Sequence, residues 1–135
     1  MKIATGWQLP CIVLICLVLG ACSDNTVSPR FEPEISNKTD NFQFQATGLD
    51  EVSQTLHYTW QNTGTVANIN QASSISSGSA ILTINDAVGT EVYRKDLSEN
   101  GTLITGEGTA GGWRITVDFS RVNGTINFRA QKRTP

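Results

Sequence analysis

Residues 112–130 read GWRITVDFSRVNGTINFRA, and their alternation decides the fold. Trp113, Ile115, Val117 and Phe119 take every second place, with Arg114, Thr116 and Asp118 between them. Successive side chains of a strand point to opposite faces, so this is a strand with one buried and one wet face. Ile126, Phe128 and Ala130 repeat the pattern in a second segment. Between the two lies Asn123-Gly124, a strong hairpin signal, because a type I′ turn needs φ > 0 at both central residues. Such a loop predicts Val122 opposite Thr125, Phe119 opposite Phe128 and Val117 opposite Ala130, all apolar residues sharing one face.

The same period of two recurs outward along the chain. Residues 41–47 offer Phe42, Phe44 and Ala46, and residues 55–61 offer Leu56, Tyr58 and Trp60. Residues 64–70 are weaker, with Val66, or Ala67 with Ile69. Residues 79–85 give Ala80, Leu82 and Ile84, and residues 90–97 and 102–105 follow. No stretch holds a helical stripe for about eleven residues, the window such a stripe needs. Eight short segments divided by Gly and Asn predict an all-β domain, a single antiparallel β-sandwich of seven or eight short strands without significant helix. Asp86-Ala87-Val88-Gly89 predicts a type I turn with a glycine bulge, bringing Ile84 near Val92. Asn100-Gly101 predicts a third hairpin, with Leu97 near Ile104. Residues 106–112 (GEGTAGG) are too rich in glycine for a strand and read as a flexible loop.

The N-terminus carries a different signal. Residues 1–10 hold Lys2 and no acid, and residues 11–20 (CIVLICLVLG) are uncharged and apolar. The block is too short to span a bilayer, which takes roughly 20 residues. With small Gly20 and Ala21 behind it, it has the layout of a secretory signal. Leu19-Gly20-Ala21-Cys22 resembles the lipobox of bacterial lipoproteins. The resemblance implies signal-peptidase recognition at Leu19, Gly20 and Ala21, cleavage after residue 21, and acylation of Cys22 on its thiol and new amino group, palmitate included. Two or three acyl chains anchor stably where one binds only marginally. Ser23, not Asp, follows Cys22, which in enteric lipoproteins is the outer-membrane pattern, so a Gram-negative host implies that address. Cys11 and Cys16 would leave with the signal and Cys22 would carry lipid, leaving no disulfide and no metal thiolate. Residues 22–40 then form a lipidated Cys and polar tether, with Pro29 and Pro33, and residues 41–135 form the sandwich. Within the tether Phe31 and Ile35 are apolar exceptions that fit a short first strand.

Cleavage would leave 114 residues, one domain's worth, with nine Lys or Arg against twelve Asp or Glu. A net charge of −3 without a basic stripe argues against nucleic acid. Arg129, Lys132 and Arg133 read as a solvated chain end. His57, the one histidine, falls on the outward phase of its strand and reads as a surface residue, with Ser53 and Asp50 near it only in sequence. One His and no free thiol make a zinc site poor, since zinc takes three or four such ligands. Calcium is the open metal option, at Asp50, Glu51 and Asp86, because loops of a sandwich supply carboxylates and carbonyls together. Turn chemistry accounts for Asp86 equally well.

Trp60, Trp113 and Tyr93 are the aromatics that a glycan-binding platform would use. Phase places Trp60 and Trp113 on the core face, which leaves Tyr93 as the exposed candidate. Residues 86–89, 112–117 and 123–128 together resemble the pre-peptidase C-terminal type of accessory β-sandwich, which implies a non-catalytic accessory role. The expectation is therefore a lipid-anchored, non-catalytic cell-envelope module that works through a protein partner and carries no cofactor. The alternative is a module for carbohydrate or envelope glycan, and a small hydrolase stands remotely behind.

Overall fold

Residues 31–134 are described by the computed structural model, and every regular element among them is a β-strand. In chain order these are β1 (Glu34–Lys38), β2 (Asn41–Asn62), β3 (Ala67–Gln71), β4 (Ser74–Asn85), β5 (Glu91–Asp96), β6 (Gly101–Ile104) and β7 (Gly111–Lys132). All pairings are antiparallel. The all-β expectation holds, but the strands are not uniformly short. β2 and β7 each run 22 residues, and they pair from Asn41 opposite Gln131 to Asn62 opposite Gly111.

Drawn straight, a strand of that length would measure about 70 Å, roughly twice the diameter of a 100-residue domain. Both strands therefore bend. The β2–β7 register slips between Ala46 and Leu49, between Leu49 and Val52, and between Val52 and Gln54. Bulges of this kind let strands pass from one layer of a sandwich to the other. In the first layer, β1, the front half of β2, the back half of β7, β3 and β6 lie side by side. In the second, the back half of β2, the front half of β7, β4 and β5 do so.

The in-phase residues meet between the layers. Phe42, Phe44, Trp60, Leu82, Ile84, Trp113, Ile115, Ile126 and Phe128 are all at most 1 % exposed. Phe44 stacks on Phe128 at 5.2 Å and reaches across to Phe119 at 6.3 Å. Trp60 and Trp113 are register partners and meet edge to face at 5.9 Å, a geometry worth about 0.5–1.5 kcal/mol beyond burial. Each indole N–H is satisfied, by Lys38 O at 3.0 Å and by Thr109 O at 2.8 Å.

Several expectations are corrected. Asn123-Gly124 does not close a hairpin, for β7 runs straight through it, and of the two only Gly124 has positive φ (132°). The extra residue that shifts the apolar phase between Phe119 and Val122 is absorbed by a bulge at Arg121 (φ 49°). Asn100-Gly101 does not pair β5 with β6 either, because β6 pairs with β3 in the other layer. The Asp86–Gly89 turn forms as expected, with Gly89 N–H on Asp86 O at 3.0 Å. Beyond it Ile84 faces Tyr93 instead of Val92, which sits in a one-residue bulge. The folded part also begins earlier than residue 41. Phe31 is buried against Phe119 at 5.5 Å, and Ile35 lies in β1 opposite Phe44.

Candidate functional site

The two ends of the sandwich are built differently. At the end opposite the bends, the turn 86–89, the 63–66 connection, the 105–110 connection and the chain after β7 come together. Asp86 organises them. It is 5 % exposed; its Oδ1 accepts the Val88 and Thr90 N–H groups at 3.1 and 2.8 Å, and its Oδ2 accepts Thr109 N–H at 2.8 Å. The Thr109 bond, with those of Thr90, Val88 and Gly89, holds its carboxyl below the usual range against the opposing effect of burial.

The glycine-rich connection is consequently strapped, not flexible. Thr105 N–H donates to Ala67 O, Gly106 N–H to Val92 O and Gly108 N–H to Thr65 O, at 3.0, 2.9 and 2.8 Å. Thr109 O in turn accepts the Trp113 indole. Between these straps lies a cleft of about 380 Å³, lined by Thr65, Val66, Ile104, Thr105, Glu107 and Arg133. Arg133 is tied by its own N–H to Val66 O at 2.9 Å. The expected basic cluster is dispersed here. Lys132 turns to Asp40 (3.9 Å) and Thr63 (2.9 Å), Arg133 lines the cleft, and Arg129 sits on the outer face of the first layer opposite Gln43.

The calcium candidates do not converge. Glu51 lies at the bend, where its N–H donates to Asn123 Oδ1 at 3.1 Å and its carboxylate accepts Arg121 Nε at 3.2 Å and Asn123 Nδ2 at 2.8 Å. Asn123 also bonds Ser77 Oγ at 2.8 Å, near the start of β4, whereas Asp86 follows the end of that strand. Eight residues of strand, about 26 Å, separate the two places. Asp50 is exposed beside Glu51. Among the described residues no three His, Cys, Asp or Glu side chains are grouped for a metal.

His57 is exposed on the second layer, with Nδ1 3.1 Å from Thr116 Oγ1. Ser53 instead accepts Arg121 N–H at 2.9 Å. Trp60 and Trp113 are fully buried and offer no ring face to solvent. Tyr93 corrects the expectation of an exposed aromatic, being 6 % exposed. Its hydroxyl donates to Gln71 Oε1 at 2.5 Å, and Gln71 Nε2 donates to Asp96 O and Glu99 O at 3.2 and 2.6 Å. Burial, with the nearby Glu99 charge, raises the Tyr93 pKa above its ordinary value. This buried lock ties β3 of one layer to β5 of the other. Sequence reading missed it, although Gln71 stands in phase with Ala67 and Ile69, a polar residue in a core position. Cys22, Leu19, Gly20 and Ala21 lie outside the described residues. No family model matches the chain, and no curated protein or solved structure matches it.

Proposed function

We propose that this chain is a non-catalytic, lipid-anchored module of the cell envelope that recruits or supports a protein partner. The lipobox Leu19-Gly20-Ala21-Cys22 motivates the anchor, and the observation that carries the reading is where the chain enters the fold. Phe31 packs on Phe119 beside the bend, and β1 then runs from Glu34, opposite Gln45, to Lys38, opposite Asn41, away from the bend. Eight residues separate Cys22 from Phe31, and the nine steps between them reach at most about 30 Å. An anchored chain would thus hold its bent end near the bilayer and its strapped loop end outward, where a partner can reach it.

Fractionation tests the anchor. The full chain should partition with membranes and carry a mass consistent with acylated Cys22, and Cys22→Ala should leave an unprocessed, unacylated precursor. Unchanged mass and partitioning in that variant would refute the anchor.

A glycan-binding reading keeps one specific support, now without aromatics. The outer face of the first layer aligns Gln131 and Asn68 in one row and Gln43, Arg129 and Asn70 in the next. Amides both donate and accept, as sugar hydroxyls require. Binding of the full chain to peptidoglycan sacculi or a glycan array, lost in the Gln43→Ala/Asn70→Ala double variant, is the expected result under this reading. No binding to either removes it.

A further inference from the structure

The sheet has four edges among the described residues, and they are protected unequally. The back half of β2, Gln54 to Asn62, pairs with β7 alone and carries no Asp, Glu, Lys or Arg, but its Thr59 and Gln61 carbonyls are already taken by Asn37 Nδ2 and Asp40 N–H at 2.9 and 2.8 Å. β1 and β5 each pair on one side only, and so does β6. An open edge presents unpaired N–H and C=O groups to any passing strand, and charged side chains are the usual guard. β1 carries Glu34 and Lys38, and β5 carries Glu91, Arg94, Lys95 and Asp96. β6 reads Gly101-Thr102-Leu103-Ile104 and carries no charge.

The ladder parity shows which groups of β6 are open. Thr105 N–H bonds Ala67 O, so the β3-facing places are those of Gly101, Leu103 and Thr105, and Thr102 and Ile104 turn their N–H and C=O outward. Ile104 is also 53 % exposed, a large apolar side chain left in water, and it forms a wall of the 380 Å³ cleft that holds Val66, Glu107 and Arg133.

We propose that the β6 edge accepts an extended, uncharged strand of a partner protein, bonded to the Thr102 and Ile104 backbones, with a side chain seated in the cleft beside Ile104. This deepens the interaction-module reading and rests on it. A row of alternating outward donors and acceptors is complementary to one kind of occupant, a peptide backbone, and strand addition draws its affinity from that row and its specificity from adjoining pockets. The lack of charge on β6 selects uncharged residues at the bonded places of the occupant, since the nearest charged side chains, Glu107 and Arg133, stand in the cleft and not along the strand. A second copy fits poorly. β6 runs from the bent end toward the loop end, so a second β6 added antiparallel would point its own anchor away from the shared membrane.

The test places a photo-crosslinking residue at position 104, 88 or 118 of the full-length chain, in the envelope of the cell that makes it. The expected result is an adduct from position 104 whose linked peptide maps to an uncharged extended segment of another protein. That adduct should fall at least tenfold with Thr102→Pro, which deletes one outward N–H, and persist with Thr102→Val, which keeps it. A thermal melt of Thr102→Pro that matches the parent shows that the loss is local; if the variant melts early, Ile104→Lys with the crosslinker at position 102 replaces it, with the same loss expected. An adduct from position 104 indifferent to these changes, or one that maps to this same chain, overturns strand addition by a partner. Adducts from position 88 or 118 alone overturn the β6 assignment and leave the interaction-module reading standing. No adduct from any of the three overturns both.

Discussion

The bent end and the loop end of this sandwich solve opposite problems. At the loop end the chain must reverse direction, and it does so with turns that satisfy their own backbone, Asp86 alone accepting three N–H groups. At the bent end β2 and β7 fold over from one layer to the other without breaking their pairing. β2, β7 and β4 all continue through, and the curvature is taken up by left-handed backbone at Gly48, Glu51, Arg121 and Gly124. Glu51 and Arg121 are side-chain-bearing residues in a region costing roughly 1–2 kcal/mol each. They are held there by Asn123, which bonds both Glu51 and Ser77 and so joins three strands. Turns can be satisfied locally. Bends are held by neighbours.

The contrast can be broken first at glycine. A Cβ on Gly124 would lie 2.1 Å from Ser74 O at φ 132°, whereas one on Gly89, also at positive φ, would meet nothing within 4 Å. Gly124→Ala should therefore cost about 4 kcal/mol or more and lower Tm by about 20 °C, and Gly89→Ala only about 1 kcal/mol. Equal losses in thermal melts would show that close packing of β4 on β7 is not what holds the bend.

The lock between the layers should come next. Gln71→Leu leaves the Tyr93 hydroxyl and two carbonyls without their partner and should cost about 2–3 kcal/mol by urea denaturation. Tyr93→Phe should cost less, and the double variant less than the sum, because the two share one bond. The raised pKa of Tyr93 sets a sign. Its neutral form is favoured in the fold, so the stability it adds is present below pH 10 and lost as pH rises through its folded pKa. Tyr93→Phe should flatten that alkaline loss.

Asp86→Asn tests the strap at acid pH. The folded pKa lies below 3.8, so the carboxylate's contribution is present above that pH and disappears as pH falls through the lowered value. The gap between parent and variant midpoints should be constant at neutral pH and close on acidification. Hydrogen exchange at the Thr109 and Gly108 amides should also quicken in the variant. A gap that persists at pH 2 would contradict a charge-based strap.

Arg121→Gly should do least. It relieves left-handed strain, adds glycine's entropy cost, and gives up an exposed ion pair worth about 0–1 kcal/mol. The expected change is within about 0.5 kcal/mol, and a larger loss would mean that the Glu51 contact matters more than its exposure suggests.

Much of the core was legible because period two is local. Phe42, Phe44, Trp60, Leu82, Trp113, Ile115 and Phe128 are buried as their phase requires, and Leu56 and Tyr58, in phase with Trp60, are half-buried against them. The shift of apolar phase between Phe119 and Val122 was not read from the sequence. A hairpin and a bulge both return the apolar residues to one face, and only the neighbours β2 and β4, lying along β7 on both sides of Asn123, make the strand continue. The partner of β6 was hidden for a related reason: Asn100-Gly101 is a good local turn, but nothing local says which layer the chain enters after it.

For the loop-end site, Asp86 was visible through its turn, and its bond to Thr109 was not, since 23 residues separate them. Ile104, Glu107 and Arg133 share a cleft only after two connections and the chain end are brought together. Alternation, turn residues and composition by themselves determined that this protein is all-β, which side chains form its core, and where its tight turn at Asp86 lies, because each depends on residues a few places apart. Only the tertiary structure decided that two strands bend to serve both layers, that Gln71 and Tyr93 lock those layers, and that β6 is left as an uncharged edge beside a cleft. Those features depend on which strands become neighbours, and that follows from packing the whole core at once.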